Sequence, residues 1–282
     1  MTAAERRYVT SSDEITGLWR RSLVRWPDGR SDTTTSVRWM QTRTLFVDLR
    51  QPADRPRFDG VHCLHDLGRD QIEWLALQAG FAGELRWDGH HVEWRRQFDF
   101  RPTQALPDEG RLWFEGSVMI EEGRHSPYVE HWHRDVPSPR PCAGVALRDA
   151  STGQAGMLVR AGDGFMYARA RAIGLPPQAE LPRLVGAAAT KGEILELIDC
   201  EISFGSVGAG TGGAAVWRIE HSTLPFKEGQ LLQPLAGREG EAGPRGEAGP
   251  QGLRTRDMAA GGEPLERRWV VTGMEGSAGE LI

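Results

Sequence analysis

Alternation of apolar and polar residues dominates the chain, and a period of two predicts β-strands. In the segment HVEWRRQFDF, one face carries Val92, Trp94, Phe98 and Phe100, and charged or polar residues take the other face. This pattern is typical of a strand with one face in a core and the other in solvent. Because comparable segments recur along both halves of the chain, the sequence predicts an all-β protein.

Two short stretches show helical spacing instead. The first covers residues 70–79 and ends at Gly80, and the second covers residues 182–191 and ends at Gly192. Each half of the chain then has the same predicted order of three strands, one helix and four strands. The predicted strands are 17–26, 35–41, 44–50, 81–87, 90–100, 111–120 and 127–134 in the first half, and 142–149, 155–160, 165–171, 193–204, 214–221, 229–234 and 266–273 in the second.

A repeated element order predicts two copies of one β-barrel domain. The proline-rich segment DVPSPRP at 135–141 is the natural joint between them, because proline ends strands and stiffens linkers. The sequence therefore predicts a first barrel at 1–136 and a second at 141–282, each carrying one short helix.

Glycine recurs at every third position from Gly237 to Gly252, which is the period of a collagen strand. The run is short, and the few apolar residues around it cannot offset the entropy lost on chain ordering. We therefore predict a mobile, collagen-like Gly-X-Y loop at about 235–265, between the last two strands of the second barrel, rather than a triple helix.

The segment ELRWDGHHVEW contains a turn signal between two alternating runs. Asp88-Gly89 suits a two-residue type I′ turn. Such a turn pairs Trp87 with His90 and Leu85 with Val92.

Composition and charge narrow the classes of partner. The formal net charge of −5 and the isoelectric point near 5.9 leave no broad basic surface for nucleic acid. No apolar run reaches membrane-spanning length, and the N-terminus lacks the apolar core of a signal peptide. Three widely spaced cysteines predict reduced thiols. We expect a soluble cytoplasmic protein that binds neither nucleic acid nor membrane.

A series of short motifs within residues 35–135 resembles the fungal Hri family of two-barrel proteins. In chain order the motifs are LFVDLRQP, LQAGFAGEL, PDEGRLWFEG, MIEEG and YVEHWHRD. The resemblance implies two lipocalin-like, or calycin-like, barrels in tandem, and it implies no established chemistry for this chain. The second half carries no matching motif, and the collagen-like insertion departs from the family pattern.

The segment GLWRR, from Gly17, resembles the G-x-W motif that opens the first strand of lipocalin-type barrels. In those barrels the tryptophan closes one end and stacks against an arginine of the last strand. Trp19 and Arg134 occupy matching places here, so the resemblance implies that they stack. The alternative is that Trp19 simply packs in the core.

Several strands of the first half carry an arginine or glutamate on the same face as large aromatic side chains. Inside an eight-stranded barrel, such a charge must be paired or must hold a ligand. The candidate ligand-binding residues are Trp19, Arg21, Trp94, Arg96, Tyr128, Glu130, Trp132 and Arg134. In one interpretation, an arginine between aromatic walls anchors a small apolar or acidic ligand. In the other, Arg96 pairs with Glu130 in a closed network that fills the barrel.

Two further motifs resemble those of metal and nucleotide sites. His131 and His133 have the spacing with which cupin-type barrels hold a metal, but the glutamate that completes that pattern is missing. Alternation also places both histidines opposite Arg134, so we predict no metal and no cofactor. GAGTGG at 208–213 fits a dinucleotide fingerprint, but the residues after it predict a strand rather than the required helix.

Three classes of function follow from these observations. The leading class is a binding protein that holds a small amphipathic or acidic ligand in the first barrel. The second is a protein–protein adaptor with filled barrels and an unknown partner. The third is an enzyme, either a lipocalin-like hydratase or isomerase or a cupin-like metal enzyme. A first-barrel cavity of about 300 Å³ or more favours ligand binding, and a filled interior favours the adaptor.

Overall fold

The structure is a computed structural model that describes residues 6–135, 140–210, 214–236 and 252–282. Within these residues the strands form two closed, eight-stranded antiparallel barrels, one after the other along the chain. The predicted all-β fold with two tandem barrels is therefore confirmed.

The first barrel begins behind a short N-terminal strand and includes one α-helix, α1 (Arg69–Leu77). Its strands and the two short strands at its edges are β1 (Arg7–Tyr8), β2 (Gly17–Arg25), β3 (Ser31–Asp32), β4 (Ser36–Gln41), β5 (Leu45–Gln51), β6 (Ala79–Trp87), β7 (Val92–Asp99), β8 (Glu109–Glu115), β9 (Val118–Gly123) and β10 (Val129–Arg134). Strand β10 pairs with both β9 and β2, which closes the barrel. Strands β1 and β3 add to β8 and β2.

The second barrel is closed by pairing of its first strand with its last. Its strands are β11 (Cys142–Asp149), β12 (Ala155–Ala161), β13 (Gly164–Arg169), β14 (Glu201–Ala209), β15 (Ala215–Ser222), β16 (Leu231–Ala236), β17 (Gly252–Met258) and β18 (Pro264–Glu275). Its α-helices are α2 (Leu181–Ala187), α3 (Lys191–Ile198) and α4 (Ala278–Leu281). None of the helices among the described residues is long and apolar enough to cross a membrane.

Each barrel has one strand more than the sequence predicted. The segment predicted as a single strand at 111–120 is a hairpin of β8 and β9, which turns at Gly116 with a φ of 63°. The predicted loop at about 235–265 contains β17 and the start of β18, so it is wrong for those residues. The collagen-like triplets from 237 to 251 lie outside the described residues.

The prediction of one short helix per barrel is wrong for the second barrel. Residues 193–198, predicted to begin a strand, belong to α3. Thr190 caps this helix: its Oγ1 accepts from the Glu193 backbone N–H at 3.2 Å, and Glu193 Oε2 accepts from the Thr190 N–H at 3.2 Å. This reciprocal capping box is a start signal that the sequence contains as T-K-G-E.

The two barrels share one continuous hydrophobic core. Strand β5 is buried on both faces: Phe46 points into the first barrel, whereas Leu45, Val47 and Leu49 pack in the shared core against β11–β14. On the other side, Gly144 lies so close that a Cβ would be 3.3 Å from Leu45 Cδ1. The chain therefore forms two barrels but one packed body.

Candidate functional site

Aromatic side chains fill much of the first barrel. Trp39 packs edge-on against Trp94 and Trp132, with ring centroids 5.7 and 5.4 Å away. Such pairs stabilise a core beyond the area that they bury. Trp94 and Trp132, two of the predicted ligand-binding residues, therefore belong to the hydrophobic core inside the first barrel.

One end of the first barrel is closed by Trp19 and Arg134, the pair that the G-x-W resemblance implied. The Arg134 guanidinium lies 4.5 Å from the centroid of the Trp19 ring and donates to the Glu14 carbonyl. Trp19 Nε1 donates to the Ile15 carbonyl at 2.7 Å. Glu14 and Ile15 belong to a 3₁₀ helix, Ser12–Ile15, that covers this end.

A buried ion-pair network lies deeper in the same barrel. Arg21 Nη1 is 2.6 Å from Glu130 Oε1, and Arg50 Nη1 is 3.6 Å from the same oxygen. Arg50 Nε also donates to Asp48 Oδ1 at 2.8 Å. Glu130 therefore has its partners in Arg21 and Arg50, and the predicted pairing of Glu130 with Arg96 is wrong.

Arg96 instead joins two aspartates and an aromatic ring. Its guanidinium lies 3.6 Å from the Phe81 centroid, 2.9 Å from Asp99 Oδ1 and 2.6 Å from Asp108 Oδ2. A β-bulge explains why Asp99 reaches it: Ala82 pairs with Phe98 and Gly83 with Arg96, which leaves Gln97 as the extra residue.

The bulge changes which residues face inward. Phe98 and Phe100, predicted to share a face with Trp94, pack in the core between the barrels instead. Gly83 permits the close crossing, because a Cβ there would lie 2.0 Å from the Arg95 carbonyl oxygen. An isolated glycine inside a strand is the sequence signal of such a bulge.

A second buried glutamate lies directly opposite Glu130. Glu121 pairs with it across β9 and β10, and burial together with the Glu130 carboxylate raises the pKa of the Glu121 carboxyl well above its usual range. Tyr128 Oη donates to Glu121 Oε1 at 2.6 Å, and Trp132 Nε1 donates to Oε2 at 3.0 Å. Burial and the neighbouring carboxylate therefore favour the protonated form of Glu121 in the folded chain.

Glu121→Gln is expected to make the protein more resistant to urea at alkaline pH. The raised pKa means that the folded chain holds a proton that the unfolded chain loses above the ordinary value of 4.5, so the wild type loses stability as pH rises. The neutral amide removes this loss, so the stability of the variant relative to the wild type should increase from pH 5 to pH 8. The exposed neighbour, Glu122→Gln, should show no such gain; equal curves for Glu121→Gln and wild type at pH 5 and pH 8 would contradict the assignment.

The cavity that reaches this network is about 10 Å³, enough for about one water molecule. Its walls include Trp39, Arg50, Phe81 and Glu121. A small-molecule ligand therefore has no room among these side chains, and the predicted position of a ligand in the barrel interior is wrong.

Two larger cavities lie on either side of Tyr128, at the end of the first barrel where β2 ends and β10 begins, which we call its mouth. One has about 520 Å³ and includes Arg25, Trp26 and Arg111 in its walls. The other has about 620 Å³, and its walls include Trp94, Arg96, Tyr128 and the segment 103–109. Three of the predicted site residues thus reach a mouth cavity, and the remaining five lie in the closed interior or at its sealed end.

Comparison with known proteins adds little to this geometry. No family model matches the chain, and no curated protein matches it. A crystal structure of the uncharacterized protein YLR301w from Saccharomyces cerevisiae aligns with 92% of this chain and 98% of that chain, at a TM-score of 0.47 and 12% sequence identity. The resemblance to the fungal Hri family stays a prediction.

Two arginines at the mouth were not predicted from the sequence. Arg25 ends β2 and Arg111 lies in β8, and neither makes an ion pair within the described part of the chain. A weak signal was present for Arg25, which is followed by Trp26 and Pro27 at a strand end. For Arg111 there was none, because only barrel closure brings β8 near the end of β2.

The two motifs that resemble metal and nucleotide sites have ordinary structural roles. His133 is exposed, and its Nε2 lies 2.8 Å from Ser22 Oγ, while burial lowers the pKa of His131. Across the described ranges, no three His, Cys, Asp or Glu side chains are grouped to hold a metal ion. In GAGTGG, residues 211–213 lie outside the described residues, and Ala215–Ser222 after them form β15, as the sequence predicted.

Proposed function

We propose that this protein binds a small aromatic or amphipathic anion at the mouth of the first barrel. The site is the cavity of about 520 Å³ between the end of β2 and the start of β10. The observation that carries the proposal is the pair Arg25 and Arg111, whose guanidinium groups have no carboxylate partner within the described residues.

Charge and shape of the cavity support an anion. Its charged walls are three arginines, Arg25, Arg111 and Arg124, against one carboxylate, Glu122. Of the arginines, Arg124 already binds Glu109, at 2.7 Å between Nη1 and Oε2. Trp26 and Tyr128 supply flat apolar surfaces on which an aromatic ring can stack. A volume of this size lies within the range of small-molecule sites.

The neighbouring cavity of about 620 Å³ fits an anion less well. Its guanidinium groups are already committed, with Arg96 bound to Asp99 and Asp108 and Arg95 bound to Glu93 at 2.7 Å. An acidic ligand there would have to break one of these existing charge-assisted hydrogen bonds. It would gain only an equivalent bond in return. The anion anchor therefore lies with Arg25 and Arg111 rather than with Arg96.

Titration with 1-anilinonaphthalene-8-sulfonate, followed by fluorescence, tests this proposal. We expect saturable binding by the wild type and at least a tenfold weaker Kd for the double variant Arg25→Gln and Arg111→Gln, because each lost charge-assisted hydrogen bond is worth about 1.5–3 kcal/mol. The matched control is Arg148→Gln with Arg268→Gln, two exposed arginines of the second barrel. Equal weakening in both double variants would show a general charge effect and would overturn the site.

A protein–protein adaptor is the second candidate, and the filled interiors favour it. The interior cavity at the α4 end of the second barrel is also about 10 Å³. Barrels packed solid present only their outer surfaces to a partner. A wild-type protein that is folded by circular dichroism and does not bind the probe at all would favour the adaptor over the binding protein.

A further inference from the structure

A groove lies at the junction of the two barrels, apart from the site just described. It lies between α1 of the first barrel and α2 with the following turn of the second, and it has about 770 Å³. Its walls come from both halves of the chain, so neither barrel alone forms it. Clefts between domains are a common place for small-molecule sites.

The walls of the groove are mostly aliphatic. Ile72, Leu77, Val185 and Ile194 all contribute to them, and the groove lies directly over the core that the barrels share. Leu77 is 48% exposed, which makes it one of the most exposed large hydrophobic side chains in the described ranges. An aliphatic surface in a concave site is covered best by an aliphatic ligand.

Gly186 is one of the residues that line the groove. It lies inside α2, where glycine is among the poorest helix formers, and a Cβ added to it would meet no atom within 4 Å. No close approach of another chain segment therefore requires glycine here. Because Gly186 lines the groove and has open space around it, a larger side chain here can occupy part of the groove without displacing a neighbour.

The polar edge of the groove carries more positive than negative charge. Arg69 and Lys191 stand there against one carboxylate, Glu73. Arg69 Nε binds Glu73 Oε1 at 2.8 Å, whereas Lys191 has no carboxylate partner among the residues that the structure describes. Lys191 Nζ donates to the carbonyls of His65 and Leu67 at 2.6 and 3.2 Å, so one of its three N–H donors is left for a ligand.

We propose that the groove binds a single-chain amphiphile: an unbranched alkyl chain along α1 and α2, with one acidic group at Lys191. This site is independent of the mouth of the first barrel, which takes a compact ring between Trp26 and Tyr128. The two ligands differ in shape, so the two sites can be measured with different probes.

Fluorescence titration of the full-length protein with 11-(dansylamino)undecanoic acid tests the proposal. We expect saturable binding by the wild type and at least a tenfold weaker Kd for Gly186→Leu, whose new side chain occupies the groove. The matched control is Gly279→Leu in α4, where a Cβ likewise meets no atom within 4 Å. This control should bind the probe like the wild type, and Gly186→Leu should keep its affinity for 1-anilinonaphthalene-8-sulfonate.

Two further measurements keep the outcome decisive. Leu77→Asn changes an exposed side chain and should weaken the alkyl probe at least threefold even if Gly186→Leu folds poorly. Lys191→Gln should weaken binding of 11-(dansylamino)undecanoic acid. It should not weaken binding of the corresponding alcohol, which carries no charge. Absence of saturable binding by the wild type, or equal affinity in Gly186→Leu, Leu77→Asn and wild type, would overturn the proposal.

Discussion

Replacing Lys227 with methionine is expected to destabilise the protein by about 3–5 kcal/mol at pH 8, the usual effect of leaving buried charges without their partner. Lys227 is 1% exposed and lies in the 3₁₀ helix Pro225–Lys227 of the second barrel. Its Nζ is 3.2 Å from Glu201 Oε2 and 3.5 Å from Asp257 Oδ2, and it donates to the Met258 carbonyl.

The loss of stability caused by Lys227→Met should become smaller as the pH falls. Burial raises the pKa of Asp257 to about 6, the Glu201 carboxylate adds to the rise, and Lys227 opposes it. Without the lysine, the pKa of Asp257 in the folded chain rises further above its unfolded value. The folded variant then takes up a proton on acidification, so stability lost at pH 8 is partly recovered at pH 5.

Urea denaturation of the wild type and variants at pH 5 and pH 8 measures this effect. Arg268→Met is the control, since Arg268 is an exposed cation of the same barrel whose side chain makes no ion pair within the described residues. It should cost less than about 1 kcal/mol at both pH values. A pH-independent loss for Lys227→Met would mean that lost packing, and not the buried charge, determines its effect.

Trp19→Ala is expected to lower the free energy of unfolding by about 3–5 kcal/mol, which is typical of removing a buried tryptophan side chain. The Trp19 ring is fully buried and stacks on the Trp39 ring, with centroids 6.3 Å apart. The Arg134 guanidinium also packs against the Trp19 ring. Its loss also frees the N-terminal 3₁₀ helix, because the Trp19 Nε1 bond to the Ile15 carbonyl disappears.

The change in melting temperature of three variants separates these contributions. Arg134→Met keeps the indole and removes the guanidinium stack and its hydrogen bond to the Glu14 carbonyl, so we expect a cost of about 1–2 kcal/mol. Trp26→Ala, at the half-buried mouth, should cost less than Trp19→Ala. If Trp26→Ala proves as destabilising as Trp19→Ala, the sealed end of the barrel has no special role in stability.

Alternation was sufficient to predict the barrels because it reports local burial, but it could not fix the register of every hairpin. The two-residue turn predicted at Asp88-Gly89 is wrong, since Trp87 pairs with Val92 and four residues form the loop. Asp88 Oδ1 accepts from the backbone N–H groups of His90 and His91 at 2.8 and 2.7 Å, which stabilises the longer loop. Side-chain capping of this kind overrides the simple turn signal.

The candidate site was harder to predict than the fold, because partners depend on which strands meet. Trp19 and Arg134 are found together because a known barrel motif already relates the first and last strands. The partner of Glu130 could not be chosen from alternation, which placed both Arg21 and Arg96 on inner faces. Barrel closure places β10 beside β2, so Glu130 pairs with Arg21. The bulge at Gln97 brings Asp99 within reach of Arg96.

The core shared by the two barrels also has a consequence for how the chain is made. The first barrel leaves the ribosome before the strands that cover Leu45, Val47 and Leu49 have been synthesised. At about 5–20 residues per second, the second half follows roughly 7–30 s later. Until then these aliphatic side chains of the first barrel are exposed to solvent. We therefore expect chaperones to bind this surface during translation and to dissociate when the second barrel packs against it.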